Sequence, residues 1–244
     1  MTLVVLHGFT GSAATMADLA ARLAPDAVVP NLAGHGPGPH SSDPSDYTVD
    51  AMVDAVLAVD DGPLDLVGYS MGGRVAFSAA CRAPDRVRSL SLIGASAGLA
   101  EEDERKARAA ADDDLAALIE RDLDGFVDRW MANPLFATQA RLGNAYLARS
   151  RAQRLTNDPV ALATSLREAS TGRMEPLLPL LHRCSMPVGL IVGADDPKFC
   201  AIAEDLQAQL ADAVMDVIPD AGHAAHLEQP DRVAAAVRRT MERA

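Results

Sequence analysis

Short apolar runs alternate with alanine-rich segments along most of this chain, and this alternation limits the folds open to it. Six runs of three to five residues are rich in β-branched side chains and have the length of buried strands; they are residues 3–6, 27–29, 64–67, 90–93, 188–192 and 214–218. Segments with helical spacing lie between them, at residues 15–23, 49–59, 73–82, 200–210 and 230–242. Alternating strands and helices predict an α/β fold, with a mostly parallel sheet of about six strands and helices on both faces.

One long stretch interrupts the alternation. Residues 98–183 contain no convincing strand but several amphipathic patterns, which predict a helical cap inserted between core segments 1–97 and 184–244. The acids of residues 101–104 stand where a helix dipole favours negative charge, so they mark a helix start. We interpret the three aspartates at residues 112–114 in the same way, as a solvated helix start and not as a metal site.

Composition restricts the partners of this protein. The net charge of −12 argues against nucleic acid and anionic membranes, and at first sight against anionic substrates. Residues 129–183, however, hold eight arginines against three acidic residues, a local charge of +5. A small polycarboxylate between cap and core is therefore compatible with the charge. The chain is too apolar for disorder at 49% hydrophobic residues, yet no run approaches the roughly 20 residues of a membrane span.

The three cysteines are widely spaced and form no C-x-x-C motif. Cys81, Cys184 and Cys200 therefore predict neither a disulfide framework nor a zinc site, and we interpret them as buried free thiols. No signal-peptide pattern is present near the first residue, so we expect a cytoplasmic location. The sequence gives no indication of oligomeric state.

A candidate nucleophile follows the apolar run at residues 64–67. There Gly68-Tyr69-Ser70-Met71-Gly72 matches G-x-S-x-G and leads into a predicted helix, the strand-turn-helix context of a nucleophile elbow. The small residues Gly68 and Gly72, which flank Ser70 two positions away on either side, permit the strained turn that raises its hydroxyl above the strand ends. A serine becomes an effective nucleophile or base when an imidazole takes its proton and a carboxylate orients that imidazole.

Both partners occur downstream, each after a predicted strand. Asp196 is the preferred acid and Asp195 the alternative, while His223 is the preferred base and His226, one helical turn on, the alternative. His7 is interpreted as a structural turn residue. Three further histidines stay unassigned: His35, His40 and His182.

The loop after the first strand supplies further candidate site residues; its sequence is Leu6-His7-Gly8-Phe9-Thr10-Gly11. Backbone N–H groups of Phe9 and Met71 are candidates for an oxyanion hole. The order Ser, Asp, His resembles that of α/β-hydrolases, and it predicts the fold of that superfamily with a cap.

Further motifs resemble one family within this superfamily. They are V-G-Y-S-M-G-G-R at residues 67–74, W-M-A-N-P-L-F-A at 130–137, S-L-R at 165–167, D-P-K-F at 196–199 and A-G-H-A-A-H-L-E-Q-P at 221–230. Together they resemble the 2-succinyl-6-hydroxy-2,4-cyclohexadiene-1-carboxylate synthases of menaquinone biosynthesis, over nearly the whole chain.

The resemblance implies a lyase, in which the serine of the triad acts as a base and pyruvate is eliminated from a cyclohexene that carries several carboxylates. Ser70, Asp196 and His223 match the triad of this family, and the residues that match its substrate-binding positions are Tyr69, Arg74, Arg108, Trp130 and Arg154. Guanidinium groups suit a polycarboxylate because they bind carboxylates in a bidentate way. The reaction needs no cofactor or metal.

Two other functions stay open on the sequence alone. One is a carboxylesterase or another hydrolase of a small ester, with Ser70 passing through an acyl-enzyme. The other is a non-catalytic ligand-binding protein on the same fold, because a fold does not by itself establish chemistry.

Overall fold

The computed structural model describes all 244 residues, and a five-stranded parallel sheet forms its centre. The strands lie side by side in chain order: β1 Thr2–Leu6, β2 Leu64–Tyr69, β3 Val87–Ile93, β4 Val188–Gly193 and β5 Ala213–Ile218. The sixth predicted strand, at residues 27–29, is reduced to one bridge beside β1, where Val28 forms two backbone hydrogen bonds with that strand. Pro30 follows at once and has no N–H to extend the pairing.

Ten α-helices surround the sheet. They are α1 Ala13–Leu23, α2 Val49–Leu57, α3 Met71–Arg82, α4 Glu102–Arg121, α5 Leu123–Met131, α6 Asn144–Arg154, α7 Pro159–Glu168, α8 Pro197–Gln209, α9 Ala225–Glu228 and α10 Pro230–Glu242. Four 3₁₀-helices lie between them, at Pro44–Tyr47, Pro84–Arg86, Pro134–Leu142 and Leu178–Arg183. The predicted alternation of strands and helices is therefore confirmed.

Both faces of the sheet are buried. Val4 and Leu6 of β1 join the larger apolar cluster, which includes side chains of α2, α3 and α8. Leu3 and Val5 point the other way, into a second cluster with α1 and α10. This double burial explains why the strands are continuous apolar runs in the sequence rather than alternating ones.

Helices alone fill the chain between β3 and β4. Helices α4, α5 and α7 share a small apolar cluster of their own, which includes Phe126 and Leu162. Phe9, in the loop after β1, packs against both this cluster and the main core. A backbone hydrogen bond from Leu177 to Ala97 closes the base of the insertion. We propose residues 98–183 as the extent of the cap.

The cysteines are free thiols. Cys81 on α3 and Cys184 before β4 are buried with their sulfurs 3.2 Å apart. Cys200 was expected to be buried, but it is only partly so, because it lies in the first turn of α8 near the protein surface. No three His, Cys, Asp or Glu side chains cluster as metal ligands would, and no helix has the length and apolarity needed to cross a membrane.

Helix α3 starts unusually close to the end of β1. A Cβ atom on Gly72 would lie 2.5 Å from the carbonyl oxygen of His7, and one on Gly73 would lie 2.4 Å from the Cβ of Ala95. Only glycine permits this approach, which sets the start of α3 directly over the strand ends.

We predict that Gly72→Ala destabilises the protein by about 1–3 kcal/mol, because the new methyl group overlaps backbone that cannot move without separating α3 from β1. Helix propensity alone favours alanine by roughly 1 kcal/mol, so a net loss identifies the steric conflict. Urea unfolding of this variant measures the change. Gly62→Ala, whose methyl would meet only the Asp60 carboxylate in an exposed turn, is the matched control. Equal stability of both variants would contradict the prediction.

Candidate active site

The candidate site lies at the carboxyl ends of the strands. After β1 the chain first places Val28 against one edge of that strand and later places β2 against its other edge. The two connections therefore run to opposite sides of β1. In open α/β sheets, such a switch point forms a crevice above the strand ends. Ser70 follows β2 at this place, and the loop that contains Phe9 follows β1.

Ser70 occupies the tip of the turn between β2 and α3. Its backbone has φ +50° and ψ −108°, a region that non-glycine residues rarely adopt. The Ser70 amide donates to the carbonyl of Ile93 at 2.9 Å, and the Ser70 carbonyl accepts the first hydrogen bond of α3, from Arg74. These two bonds hold the strained turn, and strain of this kind is typical of functional sites.

The structure brings Ser70, His223 and Asp196 together. Nε2 of His223 lies 3.2 Å from the Ser70 hydroxyl, and Nδ1 of His223 lies 2.8 Å from Oδ2 of Asp196. The other carboxylate oxygen of Asp196 accepts from the Phe199 amide at the start of α8, which fixes the carboxylate. Because the carboxylate accepts the Nδ1 proton, Nε2 is left free to accept the proton of Ser70.

The two alternatives lie elsewhere. Asp195 is exposed and forms an ion pair with Arg141 at 2.6 Å. His226 is buried with its ring 4.3 Å from that of Tyr69, and burial lowers its pKa to about 3. Asp195 therefore serves as a surface anchor, and His226 as a neutral packing residue.

His7 and His35 pack beside each other at the loop that follows β1. Nδ1 of His7 donates to the carbonyl of Gly8 at 2.9 Å, and Nε2 accepts from the amide of Leu32 at 3.0 Å. Burial lowers the pKa of His7 to about 4 and that of His35 to about 3. Both rings are neutral parts of the turn. His40 and His182 lie outside the site.

A tight turn presents the Phe9 amide. The Gly11 amide donates to the carbonyl of Gly8 at 3.0 Å and closes the turn, while the amide of Phe9 donates to no protein acceptor. The Met71 amide is the first of α3, and the first N–H groups of a helix have no acceptor within that helix. Both residues line the cavity above Ser70, so both amides stay candidates for an oxyanion hole.

A single large cavity of about 760 Å³ covers Ser70 and His223. Its walls come from both the core and the cap. All but one of the predicted site residues that could contact a substrate line it: Phe9, Tyr69, Ser70, Met71, Arg74, Arg108, Trp130 and His223. The exception is Arg154.

Arg74 is a partly buried cation without a carboxylate partner. It donates to the carbonyl of Ala169 at the end of α7 and lies near the sulfur of Met174. Burial is the main cause that lowers its pKa to about 10, and the neighbouring charge of Arg108 adds to the effect. The group stays charged at neutral pH, so an anion in the cavity would find an uncompensated guanidinium.

Arg108 contacts Asp112, an acid whose position in the helix differs from the one predicted from the sequence. Asp112 was expected to be a solvated helix start, but it lies in the middle of α4, is buried, and contacts Nε of Arg108 at 2.9 Å. Ser170 donates to the same carboxylate at 2.7 Å. Nothing in the local sequence marks Asp112 as different from Asp113 and Asp114, because the packing of α4 against α7 decides which aspartate is buried.

The remaining predicted residues divide between the cavity and its surroundings. Trp130 stacks among aromatic rings, and its indole N–H is buried without an acceptor. Burial raises the pKa of Tyr69, and the charge of Arg154 opposes that rise. Arg154 itself turns back to the carbonyl of Ser150 on its own helix and does not reach the cavity wall. Its role in substrate binding stays a prediction.

Several cavity residues had no individual signal in the sequence. Ser165 is fully buried with an unpartnered hydroxyl on the cavity wall, and its only mark was the S-L-R motif. Lys198 and Gln209 of α8 line another side of the cavity. Their positions depend on how the cap covers the core, which a local pattern does not report.

Comparison with known proteins defines the class of this protein. A model of the alpha/beta hydrolase family matches residues 3–236. The protein therefore belongs to the alpha/beta hydrolase family, which confirms the fold class predicted from the motifs.

Relatives within that family are more specific. A 2-succinyl-6-hydroxy-2,4-cyclohexadiene-1-carboxylate synthase of Enterobacter sp. (strain 638) is 35% identical over 96% of this chain and 88% of its own length. The synthase of Escherichia coli O1:K1 / APEC is 30% identical over 96% of this chain and 91% of its own length. The solved structure of MenH from S. aureus has 30% identity and a TM-score of 0.92, covering 99% of this chain and 93% of its own. The chain belongs to the 2-succinyl-6-hydroxy-2,4-cyclohexadiene-1-carboxylate synthase family.

We predict that stability falls as the pH drops below 6.5. His7, His35 and His226 have folded-state pKa values of about 4, 3 and 3, below the ordinary 6.5. Their contribution is therefore present above pH 6.5 and is lost as the pH falls, because the unfolded chain binds protons that the folded protein excludes. Between pH 7 and 5.5 each histidine lowers the free energy of unfolding by about 1 kcal/mol.

Urea unfolding across this range measures the effect. His226→Phe, which keeps an aromatic ring against Tyr69, should reduce the pH dependence by one histidine's share. His182→Phe changes an exposed histidine and should leave the dependence as in the wild type. An unchanged dependence in His226→Phe would refute the assignment of His226 as a buried neutral ring.

We also predict that small dicarboxylates bind beside Trp130, the only tryptophan of the chain. Titration with malate should change its fluorescence, and Arg108→Gln should weaken this binding about tenfold, as expected for one lost hydrogen bond to a charged group. Arg121→Gln, at the exposed end of α4 and away from the cavity, is the matched control. Equal malate affinity in both variants would contradict a role for Arg108 in anion binding.

Proposed function

We propose that this protein eliminates pyruvate from 2-succinyl-5-enolpyruvyl-6-hydroxy-3-cyclohexene-1-carboxylate and so forms 2-succinyl-6-hydroxy-2,4-cyclohexadiene-1-carboxylate in menaquinone biosynthesis. The synthase names of its relatives support this assignment. The observation that carries it is that Ser70, His223 and the guanidinium groups of Arg74 and Arg108 face one cavity.

Charge in the cavity favours a polycarboxylate. Arg108 is close enough to Arg74 to help lower the pKa of Arg74, and the carboxylate of Asp112 is already engaged by Arg108 and Ser170. Glu104, Asp205 and Lys198 also line the cavity, so the unpaired positive charge is local to Arg74, which no carboxylate contacts. Carboxylates of a substrate would neutralise it, and planar guanidinium groups can hold them in a fixed orientation.

Proton transfer starts at the triad. The Asp196 carboxylate accepts the Nδ1 proton of His223, so Nε2 accepts the proton of Ser70. Ser70 Oγ then takes the proton from the ring carbon that bears the succinyl group. That carbon is acidified by the adjacent succinyl carbonyl, whose oxygen becomes an enolate.

Elimination follows from the enolate. Amides of Phe9 and Met71 donate to its oxygen and stabilise the negative charge. When the carbonyl re-forms, the ring double bond shifts by one position and the carbon–oxygen bond to the enolpyruvyl group breaks. Enolpyruvate departs with that electron pair, accepts the proton held by His223 and becomes pyruvate, while two conjugated double bonds remain in the ring. The chain's own groups supply every step.

A carboxylesterase is the second candidate, because the same triad can attack a carbonyl and form an acyl-enzyme. A thermophilic esterase from Thermogutta terrifontis, solved with malate bound, has 26% identity and a TM-score of 0.83 over 99% of this chain and 89% of its own. The synthase names of the relatives favour the lyase, and Arg74 and Arg108 suit its carboxylate-bearing substrate. A cytoplasmic location stays a prediction.

We predict that the purified protein consumes the enolpyruvyl precursor and releases pyruvate in equal amounts. Ser70→Ala should lower kcat about 10²- to 10⁴-fold, because the base that removes the ring proton is lost. Pyruvate formation coupled to lactate dehydrogenase measures the rate. No pyruvate from the wild type together with rapid cleavage of aryl esters would establish the esterase instead. Unchanged turnover and ligand affinity in Ser70→Ala would favour a non-catalytic binding protein.

The neighbouring aspartates provide a matched pair for this assay. Asp196→Asn should lower kcat at least about 100-fold, because the amide no longer holds His223 in the required tautomer. Asp195→Asn removes only an exposed ion pair and should stay within about twofold of the wild type. Equal losses in the two variants would contradict the assignment of Asp196.

A further inference from the structure

The turn that presents the Phe9 amide is strained. Thr10, the residue after Phe9, has φ +65°, a left-handed conformation that β-branched residues avoid and glycine adopts freely. Its side chain is fully buried, yet its hydroxyl has no hydrogen-bond partner. The turn therefore gains no hydrogen bond from this hydroxyl, and other contacts must hold its conformation.

Those contacts come from the cap. Nδ2 of Asn157, beyond the end of α6, donates to the carbonyl of Thr10 at 3.1 Å, and its Oδ1 accepts from the amide of Gly36 at 2.8 Å. Gln153 reaches the same Thr10 carbonyl from the last turn of α6, at 3.5 Å, and also donates to Ser12 at 3.2 Å. Asn157 is 97% buried, so water does not compete for these bonds.

We propose that Asn157 is a positioning residue, which holds the strained Thr10 turn so that the Phe9 amide points at the reacting oxygen. Gln153 adds a weaker second bond to the same carbonyl. The inference rests on the proposed function only in assigning the oxyanion to an enolate. An oxyanion formed at Ser70 in any other reaction would need the same amide.

Two measurements test this role without depending on each other. The first is kcat for pyruvate release. The second is the inhibition constant of a trifluoromethyl ketone that carries a carboxylate. Ser70 Oγ bonds to its carbonyl carbon, the Ser70 proton moves to His223, and the carbonyl electron pair makes an oxyanion beside the Phe9 amide. Malate affinity, read from Trp130 fluorescence, reports the arginine side of the cavity and serves as a ground-state control.

Asn157→Leu keeps the volume of the side chain but cannot donate. We expect it to weaken ketone binding and to lower kcat about 10- to 100-fold, with malate affinity within about twofold of the wild type, because a small displacement of a catalytic donor is costly. Gln153→Leu should have a smaller effect in the same direction. Thr156→Ser, an adjacent exposed change that keeps the hydrogen bond to the Gln153 carbonyl, is the matched control and should behave as the wild type.

A rescue experiment separates positioning from general stabilisation. Thr10→Gly removes the strain, so in the Asn157→Leu background it should restore at least about half of the lost ketone affinity on a logarithmic scale. Thr10→Gly in the wild-type background provides the baseline for this comparison. Loss of malate binding and ketone binding together, with no rescue by Thr10→Gly, would show that Asn157 only stabilises the fold and would overturn the proposal.

The two proposals fail in different ways. A wild type that binds the ketone but releases no pyruvate refutes the lyase and leaves the role of Asn157 to the inhibitor measurements. A wild type that binds malate but not the ketone refutes the oxyanion role of the turn, and with it the inference. Should Asn157→Leu not fold, Gln153→Leu decides: ketone affinity equal to the wild type would overturn the proposal.

Discussion

The close approach of α3 to the end of β1 is the constraint on which the site depends. Gly72 leaves no room for a side chain against the His7 carbonyl, and this contact fixes where the helix begins. Ser70, at the tip of the preceding turn, then has to take a left-handed backbone conformation. The same arrangement leaves the Met71 amide free at the helix start. One steric contact therefore determines the orientation of Ser70 and of the Met71 amide together.

Electrostatics in the cavity differ from those of the whole molecule. The protein carries a net charge of −12, yet two neighbouring arginines, the partly buried Arg74 and the exposed Arg108, line the cavity with one engaged aspartate, Asp112. Acidic side chains elsewhere are largely exposed, where water and salt screen them. A charge in a partly buried cavity is screened less, so Arg74, which has no carboxylate partner, attracts a bound anion more strongly than a surface cation would. The global charge and the local preference for an anion are therefore compatible.

The cap forms hydrogen bonds and an ion pair with loops of the core that border the site. Thr138, in the 3₁₀-helix Pro134–Leu142, donates to one carboxylate oxygen of Glu228. The other oxygen of Glu228 accepts from the amide of Gly222, which precedes His223. Arg141 of the same segment contacts Asp195 next to the acid of the triad. Together with the bonds to the Thr10 carbonyl, these contacts connect the cap to three loops that present catalytic groups. The positions of His223 and of the Phe9 amide, which we propose as base and oxyanion donor, therefore depend on how the cap packs on the core.

The sequence by itself determined the parallel sheet, the place of the helical insertion and the candidates for the triad, because each depends on local patterns: apolar runs, helical spacing, and short motifs at strand ends. It could not separate Asp112 from the two aspartates that follow it, nor find Arg154 turned back toward Ser150, nor connect Asn157 with Thr10, which lies 147 residues earlier. Those outcomes were decided by the tertiary structure. Burial and hydrogen bonding depend on which surfaces of cap and core meet, and residues distant in sequence become neighbours only when the chain is packed.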